Sequence, residues 1–193
     1  NKYPLLYSHD EINKKINELK NNKIVYLPKN DFIINKTAII GFCGWWDYDN
    51  YNEISIKKNK DYFTNWIKHL SLNDSDLFIE NVNHKSIEEF KLLNEKIIKL
   101  NKDPTIDTII IVTHTIPNLD YCPEHDHEFS STIVNTKMHN IIKEQEGKIK
   151  YWIFGHTHEL LKFTDKSIKF ICNPRGRPED FDRINYKVET INI

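Results

Sequence analysis

Tyr151-Trp152-Ile153-Phe154-Gly155-His156-Thr157-His158 is the stretch on which the fold turns. Its first four residues form an unbroken apolar run, which reads as a short strand buried on both faces. Gly155 ends the run and two imidazoles follow at once. Upstream the same design recurs: Ile109-Ile110-Ile111-Val112 is apolar throughout, and Thr113-His114 closes it. Two buried strands that each deliver histidine at the C-terminal end suit a site in the crevice of an α/β sheet, which lies beyond those strand ends.

The chemistry favoured by this pattern is metal binding. Neutral imidazole is a good ligand for Zn, Mn, Fe or Ni, and glycine lets the chain turn sharply enough for both rings to face inward. On a regular strand His156 and His158 would share a face. At a turn they can splay toward two ions, about 3.5–4 Å apart in two-metal sites. The competing reading is three separate core or surface histidines.

Taken in order, Ile111-Val112-Thr113-His114, Phe154-Gly155-His156-Thr157-His158 and Asn173-Pro174-Arg175-Gly176 resemble the calcineurin-like metallophosphoesterase family. The resemblance runs from near the start of the chain to about Asn185. It implies an α/β fold in which a β-sandwich is flanked by helices, four layers in the order α/β/β/α. It also implies two divalent metal ions, a bridging hydroxide that attacks a phosphate mono- or diester, and His114, His156 and His158 among the ligands. The family's Asp-x-His, Gly-Asp and Gly-Asn-His-Asp/Glu motifs are absent from the sequence. On this resemblance the chain is the C-terminal part of one such domain, residues 1–193, with its N-terminal portion missing. The remaining ligands and the general acid would then come from a preceding segment or a separate chain. The alternative is a catalytically inactive subunit of the same fold, with a structural or binding role in a larger assembly.

Composition narrows the partners. With 27 basic and 28 acidic residues the formal net charge is -1, so no electrostatic case arises for nucleic acid or a membrane surface. A phosphate-ester substrate is the partner that the motifs imply. Hydrophobic residues at 39% and aromatics at 12% support a packed core rather than a disordered chain. Cys43, Cys122 and Cys172 are widely spaced and odd in number, which points to the cytoplasm or another reducing compartment. No apolar run is long enough to cross a membrane.

The rest of the chain supplies the frame. Ser8 to Glu11 reads as a capping box opening a helix that ends near Asn21-Asn22, so His9-Asp10 is a first helical turn rather than a ligand motif. Ile24–Leu27 reads as a strand, and Phe32–Ile34 with Thr37–Phe42 as a hairpin. Asp61–Leu70 reads as a helix and Leu77–Ile79 as a short strand. Ser86 with Glu89 reads as a second capping box, before a helix whose inner stripe is Ile87, Phe90, Leu93, Ile97 and Leu100. Asn118–Ser131 reads as a polar loop, with His84 a surface loop residue and Thr132–Glu146 a helix that keeps His139 outward. Leu160–Phe163 with Ser167–Cys172 forms a hairpin, and Tyr186–Ile193 a last strand.

Three further groups are candidates for function. In Gly44-Trp45-Trp46-Asp47-Tyr48, Trp45 or its neighbours could wall a substrate pocket with Asp47 touching substrate, or could be plain core. Arg175 and Arg177 could hold phosphate by paired hydrogen bonds, or could pair with Glu179, Asp180 or Asp182. Pro123 to Glu128 is rich in His, Asp and Glu. It could be a further metal site, an exposed acidic loop, or a rim over the pocket.

Overall fold

The computed structural model describes residues 14–15, 18, 25–28, 30–48, 75–144, 147–176 and 186–193. Six strands form one sheet: β1 (Phe32–Ile34), β2 (Thr37–Gly41), β3 (Thr108–Val112), β4 (Ile149–Phe154), β5 (Leu161–Asp165) and β6 (Ile168–Cys172), in the order β1-β2-β3-β4-β6-β5. The four central strands run parallel, and β1 and β5 close the edges antiparallel. The fold is therefore mixed α/β, as the strand pattern suggests. Among the described residues the strands make one sheet, and the second sheet of the expected sandwich is not among them.

The central position of β3 follows from its sequence. Ile109, Ile110 and Ile111 are all buried, as a strand with parallel neighbours on both sides requires. On one face Ala38, Ile40, Ile109, Ile111, Trp152 and Phe170 join a single core with Leu93, Ile97 and Leu100 of the long helix α1 (Ser75–Lys102). Trp152 and Phe170 lie nearly parallel, with centroids 6.2 Å apart.

Several local expectations are overturned. Leu77–Ile79 lies inside α1 rather than in a strand, and Ser86 is a buried mid-helix residue rather than a cap. With the helix starting at Ser75, the inner face runs Val82, Ser86, Leu93, Ile97, Leu100, which turns Ile87 outward. His84 is exposed as expected, but on this helix, 3.2 Å from Glu88. Val25–Pro28 is irregular chain and turn rather than strand, because Asn30 N–H bonds back to the Tyr26 carbonyl at 3.0 Å.

The polar stretch after β3 is ordered into 3-10 turns at Leu119–Tyr121 and Glu124–Phe129, the first capped by the Asn118 side chain. The helix expected over Thr132–Glu146 divides into α2 (Ser130–Ile133) and α3 (Met138–Glu144). Between them Val134 forms a parallel bridge with Ile116, and those backbone bonds replace helical ones. His139 is half-buried rather than fully outward. Residues 186–193 form no helix or strand among the described residues, where a last strand was expected; Asn173 Nδ2 donates to the Lys187 carbonyl, and Lys162 pairs with Glu189. The first helix is described only at Lys14, Lys15 and Glu18, all helical. Most of that helix, with His9-Asp10, Ile24, Asp61–Leu70, Arg177, Glu179, Asp180 and Asp182, lies outside the described residues.

Candidate metal centre

The site forms where β2, β3 and β4 end side by side. The ladder carries on past the strands: Thr113 N–H bonds to the Ile153 carbonyl at 2.9 Å, and Gly155 N–H to the His114 carbonyl at 3.0 Å. His114 N–H bonds in turn to the Cys43 carbonyl at 3.0 Å. His114 and His156 are thereby brought face to face, with ring centroids 4.6 Å apart and planes inclined by 32°. Gly155 is the residue expected to make the sharp turn, but the left-handed residue is His156, at φ 72°. A Cβ on Gly155 would meet His114 only at ordinary contact distance, 3.5 Å from Nδ1.

Burial sets the charge state of the pair. It lowers the pKa of His114 and, with the neighbouring His114 adding to it, pushes His156 down to about 4; the Asp126 carboxylate works in the opposite direction. Both rings are neutral at ordinary pH, the form in which imidazole binds metal. The Nδ1 of His156 is buried without a hydrogen-bond partner among the described residues. Buried polar atoms are usually satisfied, so an orphaned ring nitrogen beside a second neutral imidazole fits a metal ion. His158 is exposed at the next turn. Among the described residues no group of three or more His, Cys, Asp or Glu side chains is gathered in ligand geometry. The chain thus supplies two gathered imidazoles, with a third nearby in sequence.

A rigid loop, residues 42–48, frames the pair. Glu89 of α1 accepts from Gly44 N–H at 2.7 Å and Trp45 N–H at 3.1 Å, and Asn135 donates to the Trp45 carbonyl at 2.5 Å. Thr115 Oγ1 donates to the Gly44 carbonyl. Gly44 sits at φ +68°, where a Cβ would come 2.8 Å from that same Thr115 oxygen, so the position takes only glycine. Thr113 links the loop to the core: its hydroxyl accepts from Trp152 Nε1 at 3.0 Å and donates to the Thr115 carbonyl.

The candidate substrate residues separate. Trp46 meets His156 edge-to-face at 6.2 Å; Trp45 is one step further out, 5.5 Å from Trp46, with Lys85 Nζ 4.9 Å above it. Asp47 is buried and accepts from Thr136 Oγ1 at 2.8 Å and Lys137 N–H at 3.2 Å, so it anchors the loop instead of facing substrate. Arg175 is exposed on the turn after β6. In the 123–128 stretch, His127 Nε2 bonds to the Cys122 carbonyl at 3.0 Å, while Asp126 carries charge toward His156. That favours the rim reading over a separate metal site. The sequence does not point to Glu89 for this site, because its role depends on a contact between segments far apart in the chain; Asp126 belongs to the stretch that the sequence offers as a rim.

The fold is similar to that in the crystal structure of the phosphopantetheinyl hydrolase from Mycobacterium tuberculosis, with TM-score 0.64 and 15% identity over 95% of this chain and 67% of that one. At that identity the likeness concerns the fold. No protein-family model matches the chain, and no curated protein does.

Proposed function

We propose that the chain is part of a metal-dependent phosphoesterase that hydrolyses a phosphate mono- or diester. The observation that carries this reading is the close pair His114 and His156, held neutral by burial at the ends of adjacent parallel strands. The fold shared with a hydrolase supports it. His114 and His156 would hold divalent metal (Mn, Fe, Zn or Ni), with His158 serving a second ion. The remaining ligands and the general acid would come from a preceding segment or a separate chain. When bound, such ions activate a water nucleophile and neutralise charge on the phosphoryl oxygens.

The chain's own residues prepare that chemistry. The β3–β4 ladder fixes the spacing of the two rings, and burial keeps them unprotonated. The clamped loop sets Trp46 against His156, which shields one side of the pair from water. Trp45 and the two arginines, Arg175 and Arg177, are the proposed substrate contacts, with the guanidinium groups suited to phosphate.

The lack of a three-ligand cluster among the described residues favours one second reading, a non-catalytic subunit of the same fold. A hydrolysis screen with p-nitrophenyl phosphate and its bis-ester, run with added Mn and Zn, separates the two. Metal-dependent turnover that disappears in His114→Ala and His156→Ala supports the enzyme. Absence of turnover with metal bound at the pair, and with the segment or chain that completes the ligand set present, supports the subunit.

A further inference from the structure

Building on the phosphoesterase reading, on which the assignment rests, we infer that the substrate is a nucleotide, its base stacked on Trp45 while its phosphate meets the His114–His156 pair. Two large indoles stand outside the core. Among the described residues Trp152 belongs to the hydrophobic core, whereas Trp45 and Trp46 do not. Both are half-buried, in the loop that follows β2 at the strand ends where the pair lies.

The two rings form a fixed wall. Trp46 is set edge-to-face against His156 at 6.2 Å and against the buried Tyr48 at 6.1 Å, so it spaces Trp45 one ring further from the pair. Trp45 lies 5.5 Å from Trp46, with the planes inclined at 53°. The backbone beneath is held from both sides: the Trp45 N–H donates to Glu89, and its carbonyl accepts from Asn135. Asp47, two residues on, is buried and accepts from Thr136 and from Lys137 N–H. A wall fixed in advance loses little conformational entropy on binding, which favours a rigid, planar ligand group. The outward step from His156 past Trp46 to Trp45 matches a nucleotide, in which a ribose separates the phosphate from the base.

Lys85 marks the open face. Its side chain is exposed and its ammonium sits 4.9 Å above the Trp45 ring, so that face of the indole looks toward solvent. An exposed cation–π contact is weaker than the stack of a base on an indole, so a base can take the face and leave the ammonium beside the anionic ester. A ribose or an alkyl chain offers no planar surface for this exchange. Stacking reads no base edge, so the class is nucleotides at large rather than one base.

Calorimetric titration of the Zn-loaded chain with AMP and with ribose 5-phosphate tests the inference, because the two ligands differ in the base. AMP should bind about tenfold tighter or more, and Trp45→Leu should reduce AMP to the affinity of ribose 5-phosphate without changing the latter. Intermolecular NOEs from the adenine ring protons to the Trp45 indole need no variant, and should appear in the wild-type complex. Equal affinities for the two ligands overturn the inference and leave the phosphoesterase reading standing, as does an AMP preference that Trp45→Leu leaves intact. Absence of those NOEs overturns it even where Trp45→Leu fails to fold. If neither ligand binds the Zn-loaded chain, the phosphoesterase reading fails and takes the inference with it.

Discussion

His156 adopts a backbone conformation that a side chain makes costly, and its Nδ1 is buried without a hydrogen-bond partner among the described residues. Both features weaken the metal-free fold and both suit a ligand, a combination typical of strain held at functional sites. In the absence of metal, His156→Gly should therefore be more stable than His156→Ala by about 1 kcal/mol in urea unfolding, the reverse of the usual order, because glycine alone tolerates φ 72° freely. Equal stabilities, or a more stable alanine variant, would show that the turn carries no strain. The same residue sets a pH dependence. Its pKa is about 4 folded against 6.5 ordinarily, so at intermediate pH the unfolded chain takes up a proton that the folded chain refuses. Its contribution is fully present above about pH 6.5 and is lost as the pH falls toward 4. The urea midpoint should drop over that window, and less steeply in His156→Ala. Trp152→Phe should cost about 2 kcal/mol, since it leaves a void in the core and removes the hydrogen bond to Thr113.

The loop 42–48 after β2 is positioned by other elements rather than by its own sequence. Glu89 of α1 binds its backbone N–H groups, and the break between α2 and α3 supplies Asn135, Thr136 and Lys137 to hold it from the other side. This explains why the helix expected over Thr132–Glu146 is interrupted: the bridge to Ile116 and the bonds to the loop outweigh a few residues of helical propensity. Glu89→Ala should cost about 2 kcal/mol by leaving two backbone donors unpaired. It should also change the near-UV signal of Trp45 and Trp46. Gly44→Ala should be at least as damaging, because the added methyl meets Thr115 at a backbone angle that disfavours it. Destabilisation without a near-UV change in Glu89→Ala would mean that the loop keeps its shape without the clamp.

Across the whole molecule, what was legible in the sequence was what is repeated locally. The apolar runs of β3 and β4, the β1–β2 and β5–β6 hairpins and the C-terminal half of the inner face of α1 (Leu93, Ile97 and Leu100) follow from side-chain periodicity. The approach of His114 to His156 also follows, since each ends a buried strand and the strands are neighbours. Positions fixed by contacts between distant segments were not legible: Ser86 inside a helix, the anchoring role of Asp47, the clamp by Glu89, the left-handed turn at His156. Ser86 shows why, for a capping signature has the same letters whether or not the helix continues upstream. The central claim is that His114 and His156 hold a divalent metal, and calorimetric titration of the metal-free chain with Zn or Mn at neutral pH tests it most directly. One ion per chain is expected at this pair, with its binding abolished in His114→Ala and in His156→Ala and retained in His158→Ala, whose side chain would serve the second ion. Uptake that is absent, or equal in the wild-type chain and the His114 and His156 variants, would contradict it.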